Sequence, residues 1–236
     1  MKKLSQKLHK LNIVALIPAR GGSKGIKSKN LYLLGDKPLV AWSIESALKE
    51  KLIKKTYVST DSKNIAFYSK LFGAEIHKRR KYLAKDDSIL MDTVKSFLKF
   101  LYTEKKFKVD ILIILEPTSP FRDKKLIFNC LKKMVLNKYD SIATFVKINA
   151  HPKRMWNLEK KHPTPLMKGD NFGTRQKLSK VYELDGRIYA FYVNKKKLRD
   201  NFLFGKAGHY ICNKDRHVEI DDKDDINQAN QLLKKL

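Results

Sequence analysis

Ile17-Pro18-Ala19-Arg20-Gly21-Gly22-Ser23-Lys24-Gly25-Ile26-Lys27-Ser28-Lys29-Asn30 decides how the rest of the chain is read. It continues Ile13-Val14-Ala15-Leu16-Ile17, an apolar run that suits a buried parallel strand and is far too short to cross a membrane. Gly21, Gly22 and Gly25, with Ser23 between them, let the backbone turn tightly and bring its N–H groups close to a ligand. Arg20, Lys24, Lys27 and Lys29 place four cations in the same ten residues. A strand feeding a glycine-rich, cationic loop suits a polyphosphate, which needs fixed N–H donors and neutralising charge together. The alternative is a solvated basic loop in a lysine-rich protein. The stretch fits neither GxxxxGK[ST] nor GxGxxG, so those two phosphate-binding mechanisms are not supported.

Working outward, the pattern alternates strands and helices. Pro38 at a tolerated first-turn position opens a helix through Lys49, with Leu39, Val40, Ile44, Ala47 and Leu48 on one face. Thr56–Ser59 reads as a second strand, followed by a helix from Thr60-Asp61-Ser62 to Phe72 that Gly73 stops; Asp61 reads as its N-cap. Ala74–Ile76 is a short third strand leading into the basic cluster His77-Lys78-Arg79-Arg80-Lys81, which alone reads as a solvated turn. Asp86-Asp87-Ser88 is expected to cap a helix carrying Ile89, Leu90, Thr93, Val94, Phe97, Leu98 and Leu101 at helical spacing.

Val109–Leu115 is nearly continuous apolar sequence, as a central parallel strand covered on both faces requires. It ends in Glu116-Pro117-Thr118-Ser119-Pro120-Phe121-Arg122, a strand-end loop of the kind where open α/β sheets collect ligands. A helix over 124–136 and a strand over 141–146 continue the alternation. From His151 to about Leu184 it breaks into polar, proline-containing sequence; so long an irregular stretch implies a special task or a flexible basic loop. Gly186–Val193 and His217–Asp221 read as strands, and Asp222–Asp225 starts a last helix with Ile226, Ala229, Leu233 and Leu236 on one face.

The chain of 236 residues makes one large domain, or one domain with a sizeable insertion, and its 42% hydrophobic content supports a substantial core. A net charge of +27 invites a nucleic-acid or membrane-surface reading. The 51 Lys and Arg are spread along the chain rather than gathered in a block, so they read as solvated surface that favours anionic substrates. No nucleic-acid partner and no membrane insertion are expected. Cys130 and Cys212 lack metal-ligand spacing and read as small buried hydrophobes of a reducing compartment. The basic N-terminus lacks a cleavage site, which points to the cytoplasm.

The last strand reading puts Glu219 and Asp221 on one face with Ile220 opposite. Two adjacent carboxylates in so basic a chain suit a hard divalent cation bridging them to phosphate oxygens. Asp222 and Asp225 read as helix-cap residues. The six histidines are scattered and offer no zinc set.

Ala19-Arg20-Gly21-Gly22-Ser23-Lys24-Gly25 followed by Lys29-Asn30 resembles the signature of the acylneuraminate cytidylyltransferases, the CMP-sialic acid synthetases. Arg79 before Leu83-Ala84-Lys85-Asp86, the 115–122 stretch, 186–189 and the acidic pair agree in order, over residues 12 to 233. Glu116 stands where that family usually has glutamine, Asp185 where it has asparagine, and Glu219 where it has aspartate. The resemblance implies a Rossmann-like, three-layer α/β nucleotidyltransferase fold of GT-A-like form, with a mostly parallel sheet. A core of 12–150 and 185–236 would carry an arm, 151–184, that packs on a second subunit. Met155, Trp156 and Met167 in that arm call for burial.

The resemblance also implies roles. Arg20, Ser23, Lys24, Lys29 and Asn30 would hold the triphosphate of CTP, with Arg79 and Ser88 placing the nucleotide. Glu116, Ser119, Lys153, Arg175 and Gln176 would meet an acidic nonulosonate sugar, and Glu219 and Asp221 would hold Mg²⁺. Arg20, Lys24 and Asp221 would carry the catalytic charge. The implied reaction joins CTP to a 2-keto-3-deoxy sugar acid in a homodimer, releasing pyrophosphate. A 3-deoxy-manno-octulosonate cytidylyltransferase is the nearest competitor, and a basic polyanion-binding protein the competitor of another class.

Overall fold

The computed structural model describes residues 2–159, 161–169, 171–193 and 201–235. In chain order its elements are α1 (Lys2–His9), β1 (Ile13–Pro18), β2 (Leu33–Leu34), β3 (Lys37–Pro38), α2 (Leu39–Leu48), β4 (Ile53–Thr60), α3 (Lys63–Leu71), β5 (Glu75–Lys78) and α4 (Leu90–Thr103). There follow β6 (Ile111–Ile114), α5 (Leu126–Leu136), β7 (Ser141–Ile148), β8 (Trp156–Asn157), β9 (Thr164–Pro165), β10 (Val181–Tyr192), β11 (Ala207–Cys212) and α6 (Lys223–Leu233). Seven strands form one sheet in the order β11-β7-β10-β6-β1-β4-β5. β10 alone runs antiparallel to its neighbours; the other pairings are parallel.

Alternation along the central strands divides the core between the two faces. Ile13, Ala15 and Ile17 of β1, with Ile111 and Ile113 of β6, pack under α2 and α5 with Val40, Ile44 and Leu131. Val14 and Leu16, with Leu112 and Ile114, face α4 through Val94, Phe97 and Leu101. These strands are apolar on every residue because helices cover both sides, as the near-continuous runs predicted. Cys130 and Cys212 are both buried and free. α1, absent from the sequence reading, seats the fully buried Leu8 in this core.

The His217–Asp221 stretch is not a strand; the sheet ends at β11. Its alternation comes from Val218 and Ile220, which turn into a small third core with Ile26, Leu34, Leu39, Phe121, Ile226 and Ala229. Its backbone bonds outward instead of into a ladder, as Ile220 N–H donates to the Thr118 carbonyl at 2.8 Å. The acids on either side of Ile220 are thereby turned the other way, as expected. Asp222 caps α6 and Asp225 reaches back to the cap, a complete capping box. Leu236, counted on the apolar face of that helix, lies outside the described residues.

β10 begins at Val181 and pairs with β7 across a register break between Leu184 and Tyr189. Asp185 and Arg187 lie in that break, both buried, with Arg187 N–H donating to Asp185 Oδ1 at 3.1 Å. Parallel β1, β4, β5 and β6 deliver their following loops to one edge of the sheet. β7 ends at the same edge, so the segment 149–180 leaves from there too.

Candidate active site

A cleft of about 570 Å³ opens at that edge. It is lined by Arg20, Ser23, Lys24, Lys29 and Asn30 from the loop after β1, Arg79 from the end of β5, Asp86 and Ser88 before α4, Glu116 after β6, and Asp221. All of these but Asp86 are residues the sequence nominated, and the cleft brings them together.

The glycine loop is held from several sides. Gly21 N–H donates to Asp61 Oδ1 at 2.8 Å, and Asn30 Nδ2 donates to the Arg20 carbonyl at 2.9 Å. Lys29 Nζ donates to Asp221 Oδ1 at 2.7 Å and to the Ile220 carbonyl at 3.0 Å. Gly25 lies so close to residue 221 that a Cβ there would stand 2.1 Å from the Asp221 carbonyl oxygen. Only glycine allows this approach, which joins the cationic loop to the acidic segment.

Two cap expectations are corrected here. Asp61 does not cap α3; Ser62 does, accepting from Ile65 N–H, and Asp61 is spent on the loop. Asp86, Asp87 and Ser88 do not cap α4, whose N-cap is Ile89 without a side-chain bond. Asp86 instead pairs with Arg20 Nη1 at 2.8 Å and Lys24 Nζ at 3.1 Å. The hydrogen bond from Lys24, with Arg20 adding, holds its carboxyl below the usual range. Ser88 Oγ donates to the Tyr82 carbonyl at 2.8 Å.

Arg79 is no solvated turn residue: it is 6% exposed. Its Nε donates to Ser59 Oγ at 3.3 Å, while its Nη2 is buried and meets no partner among the described residues. Burial lowers its guanidinium to about 10, so it is charged at neutral pH. Ser59 Oγ also lies 3.0 Å from His77 Nδ1. His77, pushed down to about 4 by burial and then by Arg79, is neutral and shares a hydrogen bond with that hydroxyl. A buried cation with an unused donor on the wall of a cleft suits an acceptor-rich ligand.

Glu116 sits at the cleft floor, and no described donor reaches its carboxylate. Burial, with Glu219 next, pushes it up to about 7, and Arg122 opposes them. Arg122 is thus a cation that favours this carboxylate's charge. Arg122 fixes the strand-end loop through Nη2 to the Glu116 carbonyl (2.8 Å), Nη1 to Ser43 Oγ (2.9 Å) and Nε to the Arg187 carbonyl (2.8 Å). Gly186, at φ 66°, leaves room for the Glu116 carboxylate, since a Cβ there would lie 2.6 Å from Oε2.

Of the acidic pair, Asp221 lines the cleft and Glu219 does not. Burial, then Asp221 and Glu183, raise the Glu219 carboxyl. Among the described residues no cluster of three or more His, Cys, Asp or Glu is arranged to hold a metal ion. Ser119 is buried, donating to the Asp185 carbonyl at 2.8 Å. Lys153 lies in the short turn Pro152–Arg154 and Gln176 in that of 175–177, where Arg175 also falls; neither Lys153 nor Gln176 lines the cleft. Sequence reasoning missed Asp61 and Asp86 as site residues, because each stood where a local cap was the simpler assignment.

A Rossmann-like sheet with a cationic glycine loop at its carboxyl edge defines a nucleotidyltransferase. Residues 14–200 match the cytidylyltransferase family, and the chain belongs to it. It is 32% identical to the CMP-N,N'-diacetyllegionaminic acid synthase of Campylobacter jejuni, over 94% of each chain. It is 32% identical to the post-translational flagellin modification protein B of Campylobacter coli, over 94% of this chain and 95% of that one. The N-acylneuraminate cytidylyltransferase of Escherichia coli is 31% identical over 94% of this chain, which spans 52% of that relative's length. A CMP:2-keto-3-deoxy-manno-octonic acid synthetase complexed with CTP superposes with a TM-score of 0.67 at 16% identity, over 95% of this chain and 99% of that one. At that identity the likeness is one of fold. Among the described residues no helix is long and apolar enough to cross a membrane.

Proposed function

We propose that the chain transfers the cytidylyl group of CTP to a 2-keto-3-deoxy nonulosonic acid. The anomeric hydroxyl oxygen of the sugar attacks the α-phosphorus, the bond to the β-phosphate oxygen breaks, and pyrophosphate leaves with a CMP-sugar as the other product. The observation that carries this reading is the convergence of Arg20, Ser23, Lys24, Lys29, Asn30 and the unsatisfied Arg79 on one cleft, with Asp221 joined to Lys29 beside them. Such a reaction needs in-line positioning and charge neutralisation, not a covalent nucleophile.

In this reading Arg20, Lys24 and Ser23 hold the triphosphate, and Asn30 keeps Arg20's backbone in place. Arg79 and Ser88 belong to the nucleotide side of the cleft. Glu116 and Asp221 bring two carboxyl groups to the cleft. Glu219 is close enough for its charge to add to burial in raising Glu116, and its own carboxyl is raised by burial and then by Asp221. Carboxylate oxygens are the hard donors that Mg²⁺ takes. Asp221 and Glu219 would hold that ion, which when bound neutralises charge on the phosphates. The nonulosonate class is favoured over octulosonates because two of the relatives above 30% identity, the N-acylneuraminate cytidylyltransferase and the CMP-N,N'-diacetyllegionaminic acid synthase, are named for nonulosonates.

The segment 151–180 would complete the site of a second copy. Its Trp156, Leu158, Leu166, Met167 and Phe172 are exposed, and Lys153 and Gln176 stand away from their own cleft. A homodimer in which the arm carries Lys153, Arg175 and Gln176 to the neighbouring cleft accounts for both. The reaction is placed in the cytoplasm, where CTP is drawn on, and its product is a donor for glycosyl transfer to surface glycans.

The test is a panel of purified nonulosonic and octulosonic acids with CTP and Mg²⁺, scored by pyrophosphate release. Release with a nonulosonate is expected; release with an octulosonate alone would shift the substrate class. Salt-sensitive polyanion binding without any turnover would mark a binding protein instead.

A further inference from the structure

Asp86 faces the glycine loop across the cleft and engages its two leading cations at once, Oδ1 on Arg20 and Oδ2 on Lys24. One carboxylate thus offers a separate oxygen to each cation, as a diphosphate would. It lies between the short turn Lys81–Ala84 and α4, in a segment that lines the cleft through Leu83, Lys85 and Ser88. Its side chain is 52% exposed and caps no helix, so it can swing off without leaving a cavity or a buried charge behind. Without Asp86, Arg20 and Lys24 would lose the carboxylate that pairs with both, close to a buried Arg79 whose charge burial and Arg20 oppose and Asp61 favours.

We infer that Asp86 is an internal stand-in for the departing pyrophosphate. It occupies Arg20 and Lys24 while the cleft is empty, is displaced by the β- and γ-phosphates of CTP, and returns as pyrophosphate leaves. The inference rests on the triphosphate reading of the loop. A ligand with phosphates at that end must displace a competitor built into the chain, so CTP and pyrophosphate bind less tightly than the cations alone would allow. CMP, which ends at the α-phosphate, meets no such competition. Tight binding shared by ground state and transition state does not speed turnover, and product release often limits it, so a weakened hold on pyrophosphate serves the cycle.

Calorimetric titration of pyrophosphate, CTP and CMP into the wild type, Asp86→Asn, Asp86→Ser, Asp86→Glu and Arg20→Ala tests this. At low ionic strength both neutral variants are expected to bind pyrophosphate and CTP about threefold or more tightly than wild type, the gain shrinking as salt screens it. CMP affinity should stay within about twofold, and Asp86→Glu should restore the weaker binding. Arg20→Ala should bind pyrophosphate more weakly. If Arg20→Ala weakens binding while both neutral Asp86 variants bind as wild type or worse, Asp86 is no competitor and the inference falls alone. If Arg20→Ala leaves pyrophosphate binding unchanged, the triphosphate reading falls and takes this inference with it.

Discussion

The glycine loop of residues 19–31 and the segment of residues 149–180 leave the same edge of the sheet and are finished in opposite ways. The loop is anchored by polar bonds: Asp61 on Gly21, Asn30 on the Arg20 carbonyl, Lys29 on Asp221. The longer segment has a two-residue ladder between β8 and β9 and leaves Leu158, Leu166 and Phe172 at 72%, 59% and 85% exposure. Polar anchors can be satisfied by any donor within reach, whereas contiguous apolar surface calls for a partner. The loop, the proposed phosphate cradle, is held by polar bonds within the chain, whereas the proposed arm keeps apolar side chains on the surface.

That contrast can be broken most sharply at the acidic side of the cradle. Asp221→Asn should cost roughly 10²- to 10³-fold in kcat, comparable to losing one preorganised electrostatic contact, and raise the Mg²⁺ needed for half-maximal rate. Glu219→Gln should do so more mildly, since Asp221 lines the cleft and Glu219 does not. Unchanged Mg²⁺ titration curves for both variants would remove the pair from the reaction.

On the cationic side, Arg20→Ala and Lys24→Ala each delete a charge-assisted phosphate contact worth about 1.5–3 kcal/mol, a loss of roughly ten- to hundredfold in kcat/KM. Both side chains are partly exposed, so the variants should melt near the wild-type temperature. Kinetics within about threefold of wild type, in folded protein, would mean that the loop does not hold the triphosphate.

The arm's half of the comparison is read by complementation. Arg20→Ala spoils a cleft and spares its arm, whereas Lys153→Ala spoils an arm and spares its cleft. Mixed after dissociation and reassociation, the two inactive proteins should regain about one quarter of wild-type activity, because half of randomly formed dimers carry one intact composite site. No recovery in verified mixed dimers, or full activity in a monomer, would return the arm to its own chain.

How much of this was legible follows from how local each signal was. β1 and β6 declared themselves because burial on both faces demands unbroken apolar runs. The 217–221 stretch was misread as a strand because Val218 and Ile220 alternate for another reason, packing against Leu34, Leu39 and Ile226 beside the sheet. The cationic loop and the acidic pair were visible as residue types. Their joining through Gly25 and Lys29 was not, since Lys29 and Asp221 lie 192 positions apart. Asp61 and Asp86 looked like caps because a cap needs only neighbours, while their partners lie in the glycine loop after β1.

The smallest effect is expected at Glu116. An ionised glutamate only accepts hydrogen bonds where glutamine both donates and accepts, so Glu116→Gln should reorder the preference among sugar acids without abolishing turnover. It should also change stability against pH. The carboxyl binds its proton more tightly in the folded chain, at about 7, than in the unfolded one. Its stabilising contribution is therefore complete below the ordinary carboxylate range and is lost as pH rises through about 7. Thermal melts should show the wild type losing more stability between acidic and mildly alkaline pH than Glu116→Gln does; parallel curves would mean that the carboxylate is better solvated than its position indicates.

The most direct test of the whole account follows the α-phosphate itself. Phosphorus NMR of the purified chain with CTP, Mg²⁺ and a nonulosonic acid should show the triphosphate signals replaced by free pyrophosphate and a single new phosphodiester resonance in equal amounts, only when the sugar acid is present. Persistence of the CTP signals with every sugar acid supplied, or pyrophosphate appearing at the same rate without one, would contradict cytidylyl transfer to a sugar.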